Sequence, residues 1–317
     1  MNNHYDVLVI GAGAAGLTAG IYLSRAKVGT LILNEGAVGG QMVLTHEIAN
    51  YPGIESISGY ELARSMKLQA QKFGSAIKSN IKITNLELDG ALKKVTINNK
   101  ETFTSHAVII ATGGKPRPLG VNGENEFKGK GISYCATCDG DFFTGKEIIV
   151  VGGGNSALEE AVSLTKYASK VTIVHQFDHF QALEHYVVEA KNSPKINFIM
   201  ESKIAEFIGD ESLRKVKIEN QSTKEIIEMN VEGVFVFVGY VPNTEKFEGL
   251  IALNDYKEIV VDKNLSTNAA GVFAAGDSIA KRYRQVTTAV ADGTIAALSA
   301  SEYVNNLKKE KMLVEVF

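Results

Sequence analysis

Two stretches of the chain alternate between short apolar runs and glycine-rich turns. The first begins with the apolar run YDVLVI, Tyr5 to Ile10, which is typical of a buried parallel strand. The turn GAGAAG, the helix-like segment LTAGIYLSRA and a second apolar run, TLILNE, follow it. The second stretch repeats this order with KEIIVVGGGNSA, ALEEAVSLTKYA and KVTIVH. Each stretch therefore predicts a strand–helix–strand unit with parallel strands.

A polar–apolar alternation follows each of these units. The segment that starts AIKSNIKITNLELDG has the period of antiparallel strands, and its Asp89-Gly90 pair suits a turn. It ends in the apolar run VIIATG, and the alternating segment behind the second unit ends likewise, in VFVFVG. Because both halves share this plan, the sequence predicts a duplicated α/β architecture.

The first glycine turn has the spacing of a dinucleotide-binding fingerprint. Gly11 permits the tight turn, Gly13 lets the backbone approach a pyrophosphate, and Gly16 lets helix and strand pack closely. Glu35 ends the second strand, where its carboxylate can accept both hydrogen bonds of a ribose diol. Since strands, helix and acid follow in the expected order, we predict that this unit binds a dinucleotide. A glycine-rich turn in an α/β core is the alternative.

The second glycine turn lacks the residues that select a nucleotide. Gly152 and Gly154 are followed by Ala157, which is small enough for close packing of helix and strand. When the two turns are aligned without gaps, Glu35 corresponds to Gln176, and the surrounding HQFDHFQ contains no arginine. An NAD site requires a carboxylate at this point, and an NADP site requires arginine. The second unit is therefore predicted to have a nucleotide-binding geometry without the selecting charges.

The composition limits the possible classes of protein. Of 317 residues, 45% are apolar and 22% charged, which is typical of a globular protein of about two domains. The net charge of −3 argues against a nucleic-acid binder, and no apolar run reaches the about 20 residues of a membrane span. The N-terminus enters a strand without the basic segment of a signal peptide. We therefore expect a cytoplasmic protein.

The only two cysteines of the sequence, Cys135 and Cys138, form a C-x-x-C pair. Such a pair can close a short disulfide that accepts two electrons and passes them on by thiol–disulfide exchange. A structural zinc site requires further Cys or His ligands at a suitable spacing, which this chain does not offer. We predict redox chemistry and no metal site, with zinc binding or an inert reduced pair as alternatives. Asp139 is the candidate acid that protonates a leaving thiolate.

Three further motifs carry a resemblance to a known family. They are GGQM with IANYPG, CATCDGDFF around the cysteines, and GVFAAGDSIAKRYRQVTTAVADGTIAA near the C-terminus. With the two glycine turns, they make the chain resemble bacterial low-molecular-weight thioredoxin reductases over essentially its whole length. The resemblance implies an α/β fold of two Rossmann-like, three-layer ββα domains, the second inserted into the first. It places an FAD-binding domain at 1–115 and 245–317 and an NAD(P)H-binding-like domain, which carries the CATC disulfide, at 116–244.

The same resemblance implies roles for single residues. Cys138 would face the flavin of a homodimeric enzyme, and Cys135 would attack the disulfide of thioredoxin. Asp277 would bind the ribityl–pyrophosphate region of FAD. The implied FAD-binding residues are Gly11, Gly13, Ala14, Gly16, Glu35, Gly40, Gln41, Asn50, Thr112, Gly113, Asp277, Arg284, Gln285 and Val286.

The missing arginines also lead to a prediction about the electron donor. NADPH-dependent members of the family typically have H-R-R-x-x-x-R where this chain has HQFDHFQ. Each charge-assisted bond lost to a phosphate removes about 1.5–3 kcal/mol. The chain resembles a branch that lacks this motif and takes electrons from reduced ferredoxin, so ferredoxin is the expected donor. The alternatives are NADH or NADPH as donor, a flavoprotein redox sensor, and a ferredoxin–nicotinamide reductase, which would not need the cysteine pair.

A docking face for an acidic ferredoxin should be basic. The candidates are Lys281, Arg282 and Arg284 near the predicted flavin, and Arg64, Lys67 and Lys72 on a predicted helix. The C-terminal segment VNNLKKEKMLVEVF ends at Phe317 and is expected to form a terminal strand or to cover the flavin with an aromatic ring.

Overall fold

The computed structural model describes residues 3–45 and 48–315, and side chains up to residue 310. The chain divides into two compact units, of which one comprises 1–115 with 241–317 and the other comprises 116–240. Each unit is built on a mainly or wholly parallel sheet with helices packed on it. The predicted α/β fold class is therefore confirmed.

The first unit begins with the predicted strand–helix–strand motif. Val7, Leu8 and Val9 of the first strand are fully buried, as expected for a central parallel strand covered on both faces. Ser58 caps the second helix by accepting the backbone N–H of Glu61. The elements of this part are β1 His4–Ile10, α1 Ala14–Arg25, β2 Thr30–Asn34, α2 Gly59–Phe73, β3 Ala76–Ser79, β4 Ile83–Glu87, β5 Lys93–Ile97 and β6 Glu101–Ile110.

The second unit contains two sheets. One has five parallel strands in the order β11-β10-β9-β15-β8, and the other is an antiparallel sheet of β12, β13 and β14. Strands β7 and β16, where the chain leaves and re-enters the first unit, pair with each other. From the first of these two strands to the second, the elements are β7 Gly114–Pro116, α3 Glu124–Phe127, β8 Ile132–Ser133, α4 Ala136–Asp139, β9 Glu147–Val151, α5 Asn155–Leu164, β10 Lys170–Val174, α6 Glu184–Asn192, β11 Ile196–Ile199, β12 Ser202–Gly209, β13 Leu213–Asn220, β14 Ile226–Asn230, β15 Gly233–Val236 and β16 Tyr240–Pro242.

The chain then completes the first unit with β17 Val272–Ala274 and α7 Val286–Glu315. The sheet of this unit has the order β3-β2-β1-β6-β5-β4. Strand β17 lies outside this order and pairs in parallel with the end of β6, residues Val108 to Ile110. A side chain at Gly293 of α7 would meet the carbonyl oxygen of Ala15, so α7 crosses α1 closely. No helix among the described residues is long and apolar enough to cross a membrane.

The C-terminal segment differs from the expectation of a terminal strand in the residues that the structure describes. Helix α7 continues through it to Glu315, so this part is not a strand. A helix is favoured here because the segment VNNLKKEKMLVE contains no proline or glycine and many strong helix formers. The prediction for Phe317 lies outside the described residues.

Candidate functional site

The cysteine pair lies at the start of a short helical turn in the second unit. Cys135 immediately precedes α4, Cys138 lies within it, and their sulfur atoms form a disulfide. Both residues are half-buried. The hydroxyl of Thr137 lies 3.4 Å from Cys135 Sγ. The pair therefore forms a disulfide that is partly accessible, as exchange with a partner thiol requires. No cluster that could hold a metal ion occurs among the described residues.

Asp139 lies next to the pair in a protected position. Burial raises the pKa of its carboxyl group, and the nearby charge of Asp141 raises it further. The Ser133 hydroxyl donates to Asp139 Oδ2 at 2.6 Å, which opposes that shift in the pKa. A carboxyl group that keeps its proton to higher pH suits the role of an acid. Sequence reasoning missed Ser133, because a serine at a strand end has no diagnostic spacing.

The first glycine turn is held by backbone contacts. A Cβ at Gly11 would lie 2.2 Å from the carbonyl oxygen of Ala111, and one at Gly16 would lie 1.9 Å from that of Gly11. Gly13 precedes α1, and its side faces open space apart from Gly40 at 4.0 Å. The turn thus presents its second glycine and the positive end of α1 to a ligand. Ala14, the first residue of α1, is buried against this turn.

Glu35 directly follows β2, where a ribose is expected. Its Oε1 accepts the backbone N–H of Ile83 at 2.8 Å and an ion pair from Lys246. These bonds engage Oε1, so the predicted hydrogen bonds to a ribose diol would fall largely to Oε2. Asn34, beside it, accepts the N–H of Ala12 and so ties the end of β2 to the glycine turn. Sequence reasoning missed Lys246, which is 211 positions from Glu35.

The other residues implied by the resemblance belong to the same unit. Gly40 and Gln41 open a turn of 3₁₀ helix, and Asn50 donates to the Gln285 side chain at 3.3 Å. The backbone of α7 starts at Val286. Thr112 and Gly113 both hydrogen-bond to the backbone of Asn243, at 2.7 and 2.9 Å.

The segment after β17 is dominated by ion pairs. Lys281 is only 12% exposed and lies 2.8 Å from Asp292 and 3.2 Å from Asp277. Arg284 is paired with Glu258. Burial raises the pKa of Asp277, whereas Lys281 opposes that shift in the pKa. Carboxylates within the unit therefore neutralise the charges of Lys281 and Arg284, which argues against the docking role predicted for these two residues. A basic motif in the sequence does not reveal its ion-pair partners.

The second glycine turn is covered by its own loop. The ring of His175 is buried against Gly153, within 2.4 Å of where a Cβ of that glycine would lie. The backbone N–H of Gln181 donates to the carbonyl oxygen of Gly153 at 2.8 Å. The carbonyl of Gln176 accepts the side-chain amide of Gln221 at 2.7 Å. Gln176, Gln181 and the intervening Phe177 have exposed side chains and bring no positive charge.

The family of the chain is shown by comparison with known proteins. Residues 5–293 match the model of pyridine nucleotide-disulphide oxidoreductases. The chain belongs to this family. It is 46% identical to the thioredoxin reductase of Peptoclostridium acidaminophilum, over 96% of this chain and 98% of that protein. A protein of the rubredoxin operon of Clostridium pasteurianum is 44% identical, over 94% and 97%. The crystal structure of thioredoxin reductase from Streptococcus pyogenes superimposes with a TM-score of 0.92 at 40% identity, covering 96% of this chain and all of that one.

The family uses FAD as its cofactor. Three observations in the first unit fit this group. Gly13 leaves an open approach at the N-terminus of α1, and Glu35 keeps an oxygen for a ribose hydroxyl. Asp277 Oδ1 is buried beside the Lys281 ammonium group at 3.2 Å, and a carboxylate oxygen in such an ion pair can accept a further hydrogen bond from a polar group of the cofactor.

Proposed function

We propose that the protein is an FAD-dependent thioredoxin reductase whose electrons come from reduced ferredoxin. The observation that supports the reductase most directly is a half-buried disulfide, Cys135–Cys138, followed by the protonatable Asp139. The names of its relatives point to thioredoxin as the partner. In this proposal the segments 1–115 and 245–317 bind FAD, and 116–244 carry the disulfide.

The exchange chemistry follows from the order of the two cysteines. FAD, when bound, supplies the two electrons that open the Cys135–Cys138 disulfide. The Cys135 thiolate then attacks one sulfur of the thioredoxin disulfide, which forms a mixed disulfide and releases the other sulfur as a thiolate. That thiolate takes the proton of Asp139. Cys138 attacks the mixed disulfide, which restores the Cys135–Cys138 bond and releases the second thiolate of thioredoxin.

The proposal of ferredoxin as donor rests on the second glycine turn. The side chains at the three positions where arginines would bind the 2′-phosphate of NADPH are Gln176, Phe177 and Gln181. The position aligned with Glu35 has no carboxylate for the ribose of NADH. A site with neither selecting group favours a donor that binds elsewhere on the molecule.

The docking face that we assign to ferredoxin is the exposed side of α2. Tyr60, Arg64, Leu68 and Lys72 recur every four residues on this helix and are exposed, as expected for one face. The opposite, buried side of α2 packs on the 3₁₀ turn that contains Gln41, so the helix itself lies beside the proposed cofactor site. Arg64 pairs with Glu61, but both side chains are at least 50% exposed, so the pair is weak and leaves Arg64 accessible. Acidic carriers dock by charge complementarity, which raises the association rate at low ionic strength.

One anaerobic experiment tests the donor. The purified yellow protein is mixed in turn with NADPH, NADH and reduced ferredoxin, and bleaching of the flavin absorbance is followed by stopped flow. We expect fast bleaching with ferredoxin only, slowed about tenfold by Arg64→Glu with Lys72→Glu and unchanged by the control Lys263→Glu. Rapid bleaching by micromolar NADPH or NADH would reject the ferredoxin proposal.

A second experiment tests the reductase. Cys138→Ser should retain FAD but lose reduction of thioredoxin, because no second thiol remains to resolve the mixed disulfide. Catalytic turnover of excess thioredoxin by the wild type distinguishes an enzyme from a redox sensor. Retained turnover in Cys138→Ser would contradict the assignment. Homodimer formation and a cytoplasmic location remain predictions, and sedimentation velocity measures the first.

A further inference from the structure

A buried serine joins the cysteine pair to the candidate acid. Ser133 ends β8 and is 5% exposed. Its Oγ lies 2.6 Å from Asp139 Oδ2 and 3.1 Å from the backbone nitrogen of Cys135. The carbonyl oxygen of Cys135 lies 3.3 Å from the same atom. One side chain therefore contacts both the backbone of the attacking cysteine and the carboxyl group that follows the pair.

The distances decide where the single hydroxyl proton of Ser133 points. A separation of 2.6 Å is typical of an O–H donor to a carboxylate, whereas 3.3 Å is long for any O–H···O bond. The proton is therefore directed to Asp139, and Ser133 Oγ accepts the N–H of Cys135. The result is an oriented chain of donors that runs from the Cys135 backbone through Ser133 to Asp139.

The geometry points to Ser133 as a positioning residue for thiol–disulfide exchange, which holds the Asp139 carboxyl group in place relative to the backbone of Cys135. This inference rests on the proposed function. The backbone of Ser133 is held rigidly, because Ile132 and Ser133 pair with Val234 and Phe235 of the buried strand β15. When the partner's thiolate takes the proton of Asp139, a carboxylate remains, and the Ser133 hydroxyl stabilises it.

The charges around Asp139 determine how the loss of the Ser133 hydroxyl changes the pKa of its carboxyl group. Asp141 follows on the next turn, and α5, which packs against α4, carries Glu159 and Glu160. None of these groups is a cation. Burial and like charge therefore raise the pKa of Asp139, and among the described residues the bond from Ser133 is the contact that opposes the rise in the pKa. Without the hydroxyl, the carboxyl group keeps its proton to still higher pH.

The test uses the holoprotein, which is reduced with dithiothreitol and desalted anaerobically. It is then mixed with oxidised thioredoxin, and the single-turnover rate of thioredoxin reduction is measured at a series of pH values. The rate should fall at alkaline pH, where Asp139 loses its proton. In Ser133→Ala, the midpoint of this fall should lie about one pH unit higher than in the wild type. Ser133→Thr keeps the hydroxyl and should restore the wild-type profile. The matched control is Ser202→Ala, which removes a buried hydroxyl that donates to the Met200 carbonyl at 2.8 Å.

The outcomes separate this inference from the proposed function. If Ser133→Ala and the wild type have superimposable pH profiles, the inference is overturned, even when both reduce thioredoxin. A wild type that does not reduce thioredoxin at all contradicts the proposed function instead. In an Asp139→Asn background, Ser133→Ala should cause no further change, whereas an added loss would show that the serine has only a structural role. If Ser133→Ala fails to fold, a shifted profile in Ser133→Thr overturns the inference.

Discussion

The two glycine turns of this chain share their backbone geometry and differ in the side chains that would meet a ligand. Gly11 and Gly152 both have positive φ angles, of 108° and 137°. A Cβ at either position would lie within 2.4 Å of the carbonyl oxygen of a neighbouring strand end. The close approach of the turn to the neighbouring strand end thus requires this glycine in both units, whether or not a nucleotide binds there.

The differences between the turns are coupled. The first turn has Ala12, whose N–H is accepted by Asn34 at the end of β2. At the aligned positions the second has Gly153 and His175, and the imidazole ring lies in the space that a Cβ of residue 153 would need. In the first unit the strand end thus contacts the backbone of the turn through a small amide, whereas in the second it covers the turn with a ring. An intact glycine motif therefore indicates only how the turn packs. The residue at the end of the following strand indicates whether a nucleotide binds.

The largest expected effect comes from valine at the middle glycine of each turn. Gly13 and Gly154 both have an extended backbone, and a Cβ at either position would have no heavy atom closer than 4.0 Å, so the fold should tolerate valine. Gly13→Val should weaken FAD binding at least about 100-fold, because the backbone can no longer approach the pyrophosphate. Fluorescence titration of the apoprotein measures this affinity.

Gly154→Val is the matched control for that change. It should leave both FAD affinity and thioredoxin turnover with reduced ferredoxin unchanged. A large loss of turnover in Gly154→Val would mean that a nucleotide does enter the second turn, and the contrast between the turns would then fail.

A gain of function would sharpen the same contrast. The exposed positions Gln176, Phe177 and Gln181 can accept arginine without burying a charge. With all three changed to arginine, NADPH affinity should rise by at least about 100-fold, since each charge-assisted bond to the 2′-phosphate contributes about 1.5–3 kcal/mol and two such bonds are enough for this gain. Isothermal titration with NADPH and with NADH measures the effect, and an equal gain for both nucleotides would rule out recognition of the 2′-phosphate.

Sequence patterns predicted the parts of the structure that depend on local order. The two strand–helix–strand units, the disulfide between Cys135 and Cys138 and the helix that carries Arg64 are present as expected. Contacts between distant positions were not predictable, because one sequence does not reveal which charges meet. Lys281 looked like a surface cation but is only 12% exposed and lies between carboxylates. Lys246 pairs with Glu35 although the two residues are 211 positions apart in the sequence.

A smaller effect is expected at the ends of the aligned strands. Glu35→Gln should weaken FAD binding about tenfold, because an amide replaces the charged acceptor of the ribose hydroxyl. Gln176→Glu, the converse change in the second unit, should leave FAD affinity unaltered. Lys246→Met tests the ion pair with Glu35 and should cost only a few-fold, since both side chains are about 40% exposed. Equal losses from the changes at residues 35 and 176 would contradict the assignment of FAD to the first unit.

The smallest effect concerns the pH dependence of the second turn. Burial lowers the pKa of His175, so the folded unit favours the neutral ring, whose Nε2 donates to the His179 carbonyl at 3.1 Å. In the unfolded chain the histidine binds a proton near its ordinary pKa of about 6.5. The contribution of the neutral ring to the free energy of unfolding is therefore complete above that pH. It falls as the pH drops below that value, by at most about 1.4 kcal/mol per pH unit. Hydrogen exchange of peptides from β9 and β10 should therefore slow down less between pH 6.5 and pH 5 than the fall in the intrinsic exchange rate predicts. His175→Phe should remove this difference, whereas the exposed His185→Phe should preserve it; an unchanged difference in His175→Phe would show that the ring covering the second turn does not sense pH.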